Sequence, residues 1–345
     1  MHSRVRVVLI ASTCLLAMGA PRAQAPVERA RYLMGTVCEG AVFPSPGTSA
    51  EEAAAALEAA FDEIARIEAF LSDYREDSEL SRLNREAGTR PFRLSSELLG
   101  FLKAAIDYSR ETQGAFDITV APLVSLWDLR GEGRIPSESE IGRALERTGY
   151  SRVSIDPEAS TLTFSAPGMG LDPGAFGKGY ALDAAARVLR ERGQTSAMLD
   201  FGGQILAIGA PPGLEAWEID VAHPLDRSRP ARSLKLRDRS VSTSGNSEKG
   251  PIVSGRPLGH VIDPRTGRPI ETLGSATVIA ATGEETDALS TALLVMGPDA
   301  GLDWAAGRPG VEVLYLEAAR GDRLVERSTP GFGRMEKRVS SGENR

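Results

Sequence analysis

The most regular pattern of apolar positions lies in the first quarter of the chain. Five apolar residues follow one another there at spacings of four, three, three and four: Leu57, Phe61, Ile64, Ile67 and Leu71. These spacings place all of them on one face of an α-helix. Ser49 stands where an N-cap is expected, with acidic residues in the turn that follows. We therefore predict a helix from Glu51 to Leu71 whose apolar face packs on a sheet.

The same periodicity predicts further helices, and short alternating runs between them predict strands. Helices are expected at residues 96–112, 184–192 and 284–296, with a short one inside 131–149 and a last one after residue 301. Strands are expected at residues 31–37, 197–209, 217–221, 233–237 and 276–281, near residue 316, and as a hairpin over 150–164. Gly202-Gly203 interrupts one strand, which indicates a bulge or a close approach to a ligand.

A glycine-rich stretch from Leu171 to Asp183 precedes the helix of residues 184–192. It contains Asp172, three glycines and Lys178. Glycine lets the backbone come close to a ligand, and the free N–H groups of a first helical turn attract anions. A phosphate or nucleotide site and a tight turn with Lys178 in solvent are both consistent with this pattern. A P-loop is excluded, because Gly179 follows Lys178 where that motif has serine or threonine.

The N-terminal 25 residues differ in composition from the rest of the chain. A short basic stretch precedes an uncharged apolar run over residues 7–20, and Ala23-Gln24-Ala25 offers an A-x-A cleavage site. This predicts a secretory signal peptide over residues 1–25 and a periplasmic mature protein. Pro26 disfavours a cut directly before it, so cleavage is expected at or near Ala25. A lipid anchor on Cys14 is the less favoured alternative, because Thr13 makes a poor lipobox.

The composition of the full sequence of 345 residues is that of an ordinary globular protein, with 41% hydrophobic and 25% charged residues. Removal of the signal peptide takes away three arginines and changes the formal net charge from −7 to −10. An acidic chain of this kind argues against a nucleic-acid partner. Cys38 is then the only cysteine, so no internal disulfide can form and stability must come from core burial.

The stretch from Leu171 to Asp183 resembles the signature of the ApbE family, the FAD:protein FMN transferases. Similar blocks occur in the expected order on both sides of this stretch, between Leu33 and Leu316: residues 34–36, 72–84, 114–123, 200–204, 242–246, 260–269 and 287–291. Two positions depart from the family pattern, since Asp200 replaces the usual asparagine and Gln204 the usual aspartate or asparagine. Some members also carry an acid in place of Lys178.

The resemblance implies an α+β fold, with a T-fold-like core, a smaller α/β part and FAD in the cleft between them. The family domain is then expected over residues 26–328, followed by a polar, disordered tail over 329–345. Contacts with FAD are implied for Met34, Tyr74, Ala115, Phe116, Asp117, Asp172, Lys178 and Ile262. Mg²⁺ ligands are implied at Ala175, Asp287, Ser290 and Thr291, and catalytic roles for His260 and Lys178.

Ordinary structural roles stay open for several of these residues. Met34 beside a glycine suits a core, and the charged stretch around Tyr74 suits a loop, although an aromatic ring there could stack on a flavin. Asp117 in an apolar surround needs hydrogen-bond donors from the backbone or a ligand. Asp287 and Thr291, four residues apart, share one helix face and form an oxygen set that suits Mg²⁺. His260 has a side chain that titrates near neutrality, as a general base requires.

The implied reaction is the Mg²⁺-dependent transfer of FMN from FAD to a threonine hydroxyl of a target protein, with release of AMP. The expected partner is a flavin-accepting redox protein outside the cytoplasm that exposes a threonine or serine motif. An association with the membrane is expected only through that acceptor. One alternative uses the same site with water as acceptor, as an FAD pyrophosphatase giving FMN and AMP. The other is a non-catalytic periplasmic flavin-binding protein, which would need no metal.

Overall fold

The computed structural model describes residues 25–246, 251–253, 256–272, 274–319 and 323–335, and the side chains of all of these except residues 256 and 257. All but the last residue of the expected signal peptide therefore lies outside the described residues. The helices of the described part are α1 (Ala50–Leu71), α2 (Glu79–Glu86), α3 (Ser96–Glu111), α4 (Ala121–Trp127), α5 (Glu138–Leu145), α6 (Gly177–Glu191) and α7 (Gly283–Ala306). Short 3₁₀ helices span Ile118–Val120, Tyr150–Arg152 and Phe332–Arg334.

The strands of the described part are mostly short and pair antiparallel. They are β1 (Val27–Leu33), β2 (Thr36–Val42), β3 (Phe92–Arg93), β4 (Val153–Asp156), β5 (Thr161–Phe164), β6 (Ala197–Phe201), β7 (Ile205–Ile208), β8 (Trp217–His223), β9 (Asp226–Leu236), β10 (Arg239–Gly245), β11 (Ile252–Val253), β12 (Arg256–Pro257), β13 (Ile262–Asp263), β14 (Arg268–Pro269), β15 (Gly274–Ala280), β16 (Glu312–Ala318) and β17 (Leu324–Ser328). Eight of them form one sheet in the order β1-β2-β6-β7-β10-β15-β16-β17. The α+β class is confirmed.

The predicted first helix is confirmed, and its start is defined by local chemistry. The Ser49 hydroxyl accepts a hydrogen bond from the Glu52 backbone, and the Glu52 carboxylate accepts one from the Ser49 N–H, which is a capping box. The apolar stripe of α1 is fully buried in the main core together with residues of α3 and α6. The helices of this layer cover one face of the large sheet.

The second face of the large sheet is covered by the β8–β9 hairpin. Alternate residues of the sheet strands point to opposite faces, so Leu199 joins the core under the helices and Met198 the core under the hairpin. On β8, Trp217, Ile219 and Val221 are buried in that second core, and the residues between them are not. A smaller three-stranded sheet, β3-β5-β4, lies apart from the eight-stranded one and adds residues to the helical core.

Two glycine-containing segments differ from their predictions, for the same reason. Met34-Gly35 was expected within a strand, but both residues have positive φ (44° and 79°) and form the tight turn between β1 and β2. Gly202-Gly203 was expected to interrupt one strand, but it also has positive φ (69° and 93°) and joins β6 to β7. Two-residue hairpin loops with positive φ match the twist of the flanking strands.

Three further segments are more ordered than their composition indicated. Part of the charged stretch 72–84 forms α2, which begins at the Ser78 N-cap and buries Leu80 and Leu83. Residues 242–245, for which no strand was predicted, lie on β10 inside the large sheet. In the expected tail, residues 329–335 are described and Phe332 is buried. Within the described residues, no helix combines the length and the apolar character that crossing a bilayer requires.

Candidate functional site

A cleft of about 700 Å³ opens between the hairpin face of the large sheet and the segment that leads into α4. Residues of β8 and of the β6–β7 turn line part of the cleft, and residues between 115 and 130 line another part. The loop before α6, the end of β10 and the first half of α7 line its floor, and residues 260–264 line another side. This volume is in the range of pockets that bind small molecules and cofactors.

The glycine-rich loop is fixed in place by a side chain from a distant block. The Asn84 amide accepts a hydrogen bond from the Leu171 N–H at 2.8 Å and donates one to the Leu171 carbonyl at 2.9 Å. Phe176 is fully buried and packs near the rings of Phe101 and Tyr108. The loop therefore enters the floor of the cleft in a defined conformation, and α6 begins directly after it at Gly177.

The glycine at position 179 permits a close contact between two helices. A Cβ at this position would lie 2.2 Å from the Gly283 carbonyl oxygen and 2.8 Å from the Asp287 Cβ, both in α7. The close approach is reinforced by Asp183, whose carboxylate accepts hydrogen bonds from the first two N–H groups of α7, those of Gly283 and Glu284. At this position the glycine therefore makes room for α7.

Asp287 is buried at the point where α6 and α7 meet. Its carboxylate accepts a hydrogen bond from the Gly179 N–H at 3.0 Å. Burial raises the pKa of Asp287, and the charge of Lys178 and the backbone N–H groups of α6 oppose that rise. A buried carboxylate with so few compensating partners favours a nearby cation.

Hydroxyl groups lie beside Asp287 on the floor of the cleft. The Ser244 hydroxyl lies 2.9 Å from that of Ser290 and 3.2 Å from that of Thr291. Ser290 is fully buried and also donates to the Asp287 carbonyl. Thr291 reaches the cleft wall, whereas Ser290 lies behind it. Among the described residues, no group of three or more histidine, cysteine, aspartate or glutamate side chains could hold a metal ion. A metal here would depend on Asp287, neutral oxygens and groups of the substrate.

Asp172 is held at the cleft by two donors. Its Oδ1 accepts a hydrogen bond from the Gly174 N–H at 2.8 Å, and its Oδ2 accepts one from the Arg130 guanidinium at 2.8 Å. Burial raises the pKa of Asp172, while Arg130 and the Gly174 N–H oppose the rise. Arg130 also donates to the Asp73 carboxylate and lies over the Tyr74 ring at 4.9 Å from its centroid.

Both carboxylate oxygens of Asp117 are engaged by the protein itself. Oδ1 accepts from the Thr119 N–H and hydroxyl, and Oδ2 accepts from the Tyr150 N–H at 2.8 Å. Asp117 thereby caps the 3₁₀ helix that follows it and ties it to the segment after α5. Burial raises the pKa of Asp117, which these hydrogen bonds oppose. The backbone donors expected for this acid are therefore present.

The block from His260 to Pro269 folds into a turn against α4. Strands β13 and β14 pair within it, and the Trp127 indole donates to the Gly267 carbonyl at 2.7 Å. Ile262 is buried and lines the cleft, whereas His260 is exposed at its mouth. This arrangement leaves the imidazole of His260 accessible to a molecule that arrives from outside.

Comparison with known proteins adds an independent observation. The model of the ApbE family matches residues 34–315, which is more than half of the chain. The chain belongs to the ApbE family. It is 31% identical over 306 residues to the FAD:protein FMN transferase of Escherichia coli K12, covering 87% of this chain and 86% of that protein.

Solved structures agree with this assignment. The flavin transferase ApbE from Vibrio cholerae matches with a TM-score of 0.78 at 28% identity, and the ApbE protein from Thermotoga maritima with 0.81 at 29%. Each match covers 90% of this chain and 99% of the other.

Most of the residues singled out by resemblance to the ApbE family converge on the cleft, and three do not. The cleft is lined by Ala115, Phe116, Asp117, Asp172, Ala175, Lys178, His260, Ile262, Asp287 and Thr291. Met34 lies beside the start of α6, where its methyl group is near Gly177, and Tyr74 is 76% exposed. Neither of these two residues, nor Ser290, lines the cleft. Their implied contacts with FAD or Mg²⁺ stay predictions.

Sequence reasoning missed several residues of the cleft in this ApbE family member. Arg130 and Arg227 stand in loops or strands with no distinctive spacing, so no local signal could reveal them. His223 lies beyond the strand predicted over residues 217–221, but it ends β8, is 5% exposed and lines the cleft. Its alternation with Trp217 and Val221 along the strand could have placed it on the buried face.

Proposed function

We propose that this protein transfers FMN from FAD to a hydroxyl group of an acceptor protein, with Mg²⁺ bound at the cleft. The observation that carries the proposal is the meeting of residues from three separate parts of the chain in one cleft: Lys178, His260, and the pair Asp287 and Thr291. The family relatives named FAD:protein FMN transferase support the reaction. The chemistry of the cleft supports a substrate with both a planar apolar part and a charged part.

The floor of the cleft suits a pyrophosphate. Lys178 supplies a positive charge there, and hydroxyl groups from β10 and α7 supply further polar contacts. The donor set also fits Mg²⁺, which binds few protein oxygens and otherwise takes waters and substrate phosphates. Asp287, Thr291 and the backbone oxygen of Ala175 would hold the ion, with Ser290 behind them. A bound Mg²⁺ would supply charge compensation for the phosphoryl oxygens.

The position of His260 suits a general base. The acceptor hydroxyl must lose its proton as its oxygen bonds to the phosphorus of the FMN half. His260 at the mouth of the cleft would take that proton. The bond between this phosphorus and the bridging oxygen breaks, and AMP leaves with the bridging oxygen. Lys178 on the floor would offset the negative charge that develops there.

The cellular setting follows from the N-terminal pattern, which lies outside the described residues except for Ala25. Export of the mature chain to the periplasm would bring it to redox proteins that carry covalent flavin. The acceptor is then a protein with a threonine or serine hydroxyl on an accessible segment, since His260 is reached from the exposed mouth of the cleft.

The decisive experiment incubates the mature protein with FAD, Mg²⁺ and a candidate acceptor, and weighs the acceptor by mass spectrometry. A mass increase equal to one FMN, with AMP in solution, is the expected result. FMN and AMP without an acceptor adduct would indicate the pyrophosphatase instead. Calorimetry should show tighter binding of FAD than of FMN, because the family's site is expected to contact both halves of the dinucleotide. FAD binding with neither product would indicate a flavin-binding protein.

A further inference from the structure

We propose that Arg130 is a positioning residue whose guanidinium group, backed by the Tyr74 ring, stacks on a planar heterocycle of the substrate. The inference rests on the proposed function, because FAD is the ligand that would supply such a ring. It assigns a role to a residue outside the sequence blocks that carry the family resemblance. It also explains how Tyr74 can matter for binding without lining the cleft.

The contacts of Arg130 hold its guanidinium group in one orientation. Two of its nitrogen atoms donate to carboxylates on either side, those of Asp73 and Asp172. The guanidinium carbon lies over the Tyr74 ring, 4.9 Å from the ring centroid. Two hydrogen bonds and one ring contact therefore hold the end of a side chain that is 39% exposed.

Of this pair, Arg130 is the residue that borders the cleft. Because Arg130 lines the cleft and Tyr74 does not, we infer that the face of the guanidinium group opposite the ring is the one available to a ligand. No second aromatic ring of the described residues lies over Arg130. A planar cation stacks well on aromatic faces, which makes the open face a platform for a heterocycle.

The surroundings of Arg130 define the kind of ring. The adjacent cleft wall is apolar, with Phe116, Val124, Leu129 and Ile262. The Asp172 carboxylate at the edge of the platform has a lone pair left on each oxygen and can accept a hydrogen bond from a ring N–H. Both the adenine and the isoalloxazine of FAD combine a flat apolar face with an N–H donor at the edge. The pyrophosphate would then extend toward Lys178.

The test compares Arg130→Lys with wild type by calorimetric titration with FAD, FMN and AMP in separate experiments. Lysine keeps the charge and can still pair with a carboxylate, but it lacks the planar face. We expect the Kd for FAD to rise about tenfold, and the Kd for one of FMN or AMP to rise equally while the other stays unchanged. FMN and AMP are the two halves of FAD, and the half-ligand whose Kd rises is the one that contains the stacked ring. Arg134→Lys is the matched control, because Arg134 pairs with Glu140 and does not line the cleft.

A double-mutant cycle with Tyr74→Leu adds a second measurement. Because Tyr74 is 76% exposed, its replacement should leave the fold intact. If the ring supports the guanidinium group, the two changes together should raise the Kd by less than the product of their separate effects. Independent effects would overturn the stacked arrangement.

The remaining outcomes are also decisive. An Arg130→Lys protein that binds FAD, FMN and AMP within twofold of wild type would overturn the proposal. Equal weakening of both half-ligands, with a lower unfolding temperature, would show that Arg130 only holds the loop and would overturn it too. A wild-type protein that binds no FAD would refute the proposed function itself, which the first titration shows before any variant is made.

Discussion

Replacing Gly179 by alanine tests the contact between α6 and α7 on which the floor of the cleft depends. A methyl group at this position would meet the Gly283 carbonyl oxygen at 2.2 Å, a distance at which one of the two helices must move. Overpacking of this kind costs about 3 kcal/mol at the upper end of its usual range, since the obstacle is backbone. Alanine regains about 1 kcal/mol through its better helix propensity.

The net destabilisation expected for Gly179→Ala is therefore about 2 kcal/mol, the difference between these two effects. For a large domain this lowers the unfolding temperature by about 4–8 °C. Displacement of α7 should also lengthen the hydrogen bond from the Gly179 N–H to the Asp287 carboxylate, now 3.0 Å. The Mg²⁺ concentration needed for half-maximal FMN transfer should rise as a result.

Gly100→Ala is the matched control for thermal and denaturant unfolding. Gly100 is exposed within α3, and a Cβ there would meet no other atom within 4 Å. That variant should be up to about 1 kcal/mol more stable than wild type. If Gly179→Ala is stabilised by a similar amount and keeps its Mg²⁺ dependence, the close contact between α6 and α7 is wrong.

Three further predictions concern the chemistry of the site and the acids around it. His260→Ala should keep FAD binding but slow FMN transfer by roughly 10²- to 10⁴-fold; transfer at the native rate would show that His260 is not the base. Asp287→Ala should abolish Mg²⁺-dependent transfer more fully than Thr291→Ala, because the carboxylate is the charged ligand; undiminished activity in a chelator would refute the metal site. Burial and the neighbouring Asp183 raise the pKa of Glu284 to about 7, so stability should fall as pH rises from about 4.5 through 7. Glu284→Gln should flatten this fall in a series of unfolding temperatures against pH, and an unchanged profile would contradict the shift.

Local chemistry was enough to predict the elements whose signals are contained in a few consecutive turns. The stripe of α1 with its Ser49 cap and the hairpin of β4 and β5 were both readable in this way. So was the end of the helix predicted over residues 284–296, because the backbone of α7 is non-helical at Gly297, with a φ of 76°. The resemblance to the ApbE family added ten of the residues that line the cleft, because each block keeps its residue types at fixed spacing. Neither source of information contains distances between the blocks.

The contacts that shape the site join residues far apart in the chain, and only the tertiary structure shows them. Gly179 and Asp287 are separated by 108 positions, and Asn84 and Leu171 by 87. No pattern in the sequence around Arg130 marks it as a cleft residue. Its partners Asp172 and Tyr74 lie in the loop before α6 and just after α1, and only the packed structure brings them together. Short-range periodicity reports which face of an element is buried, because that depends on neighbours along the chain. What that face is buried against depends on how distant elements pack, and for this reason the composition of the cleft was decided by the fold.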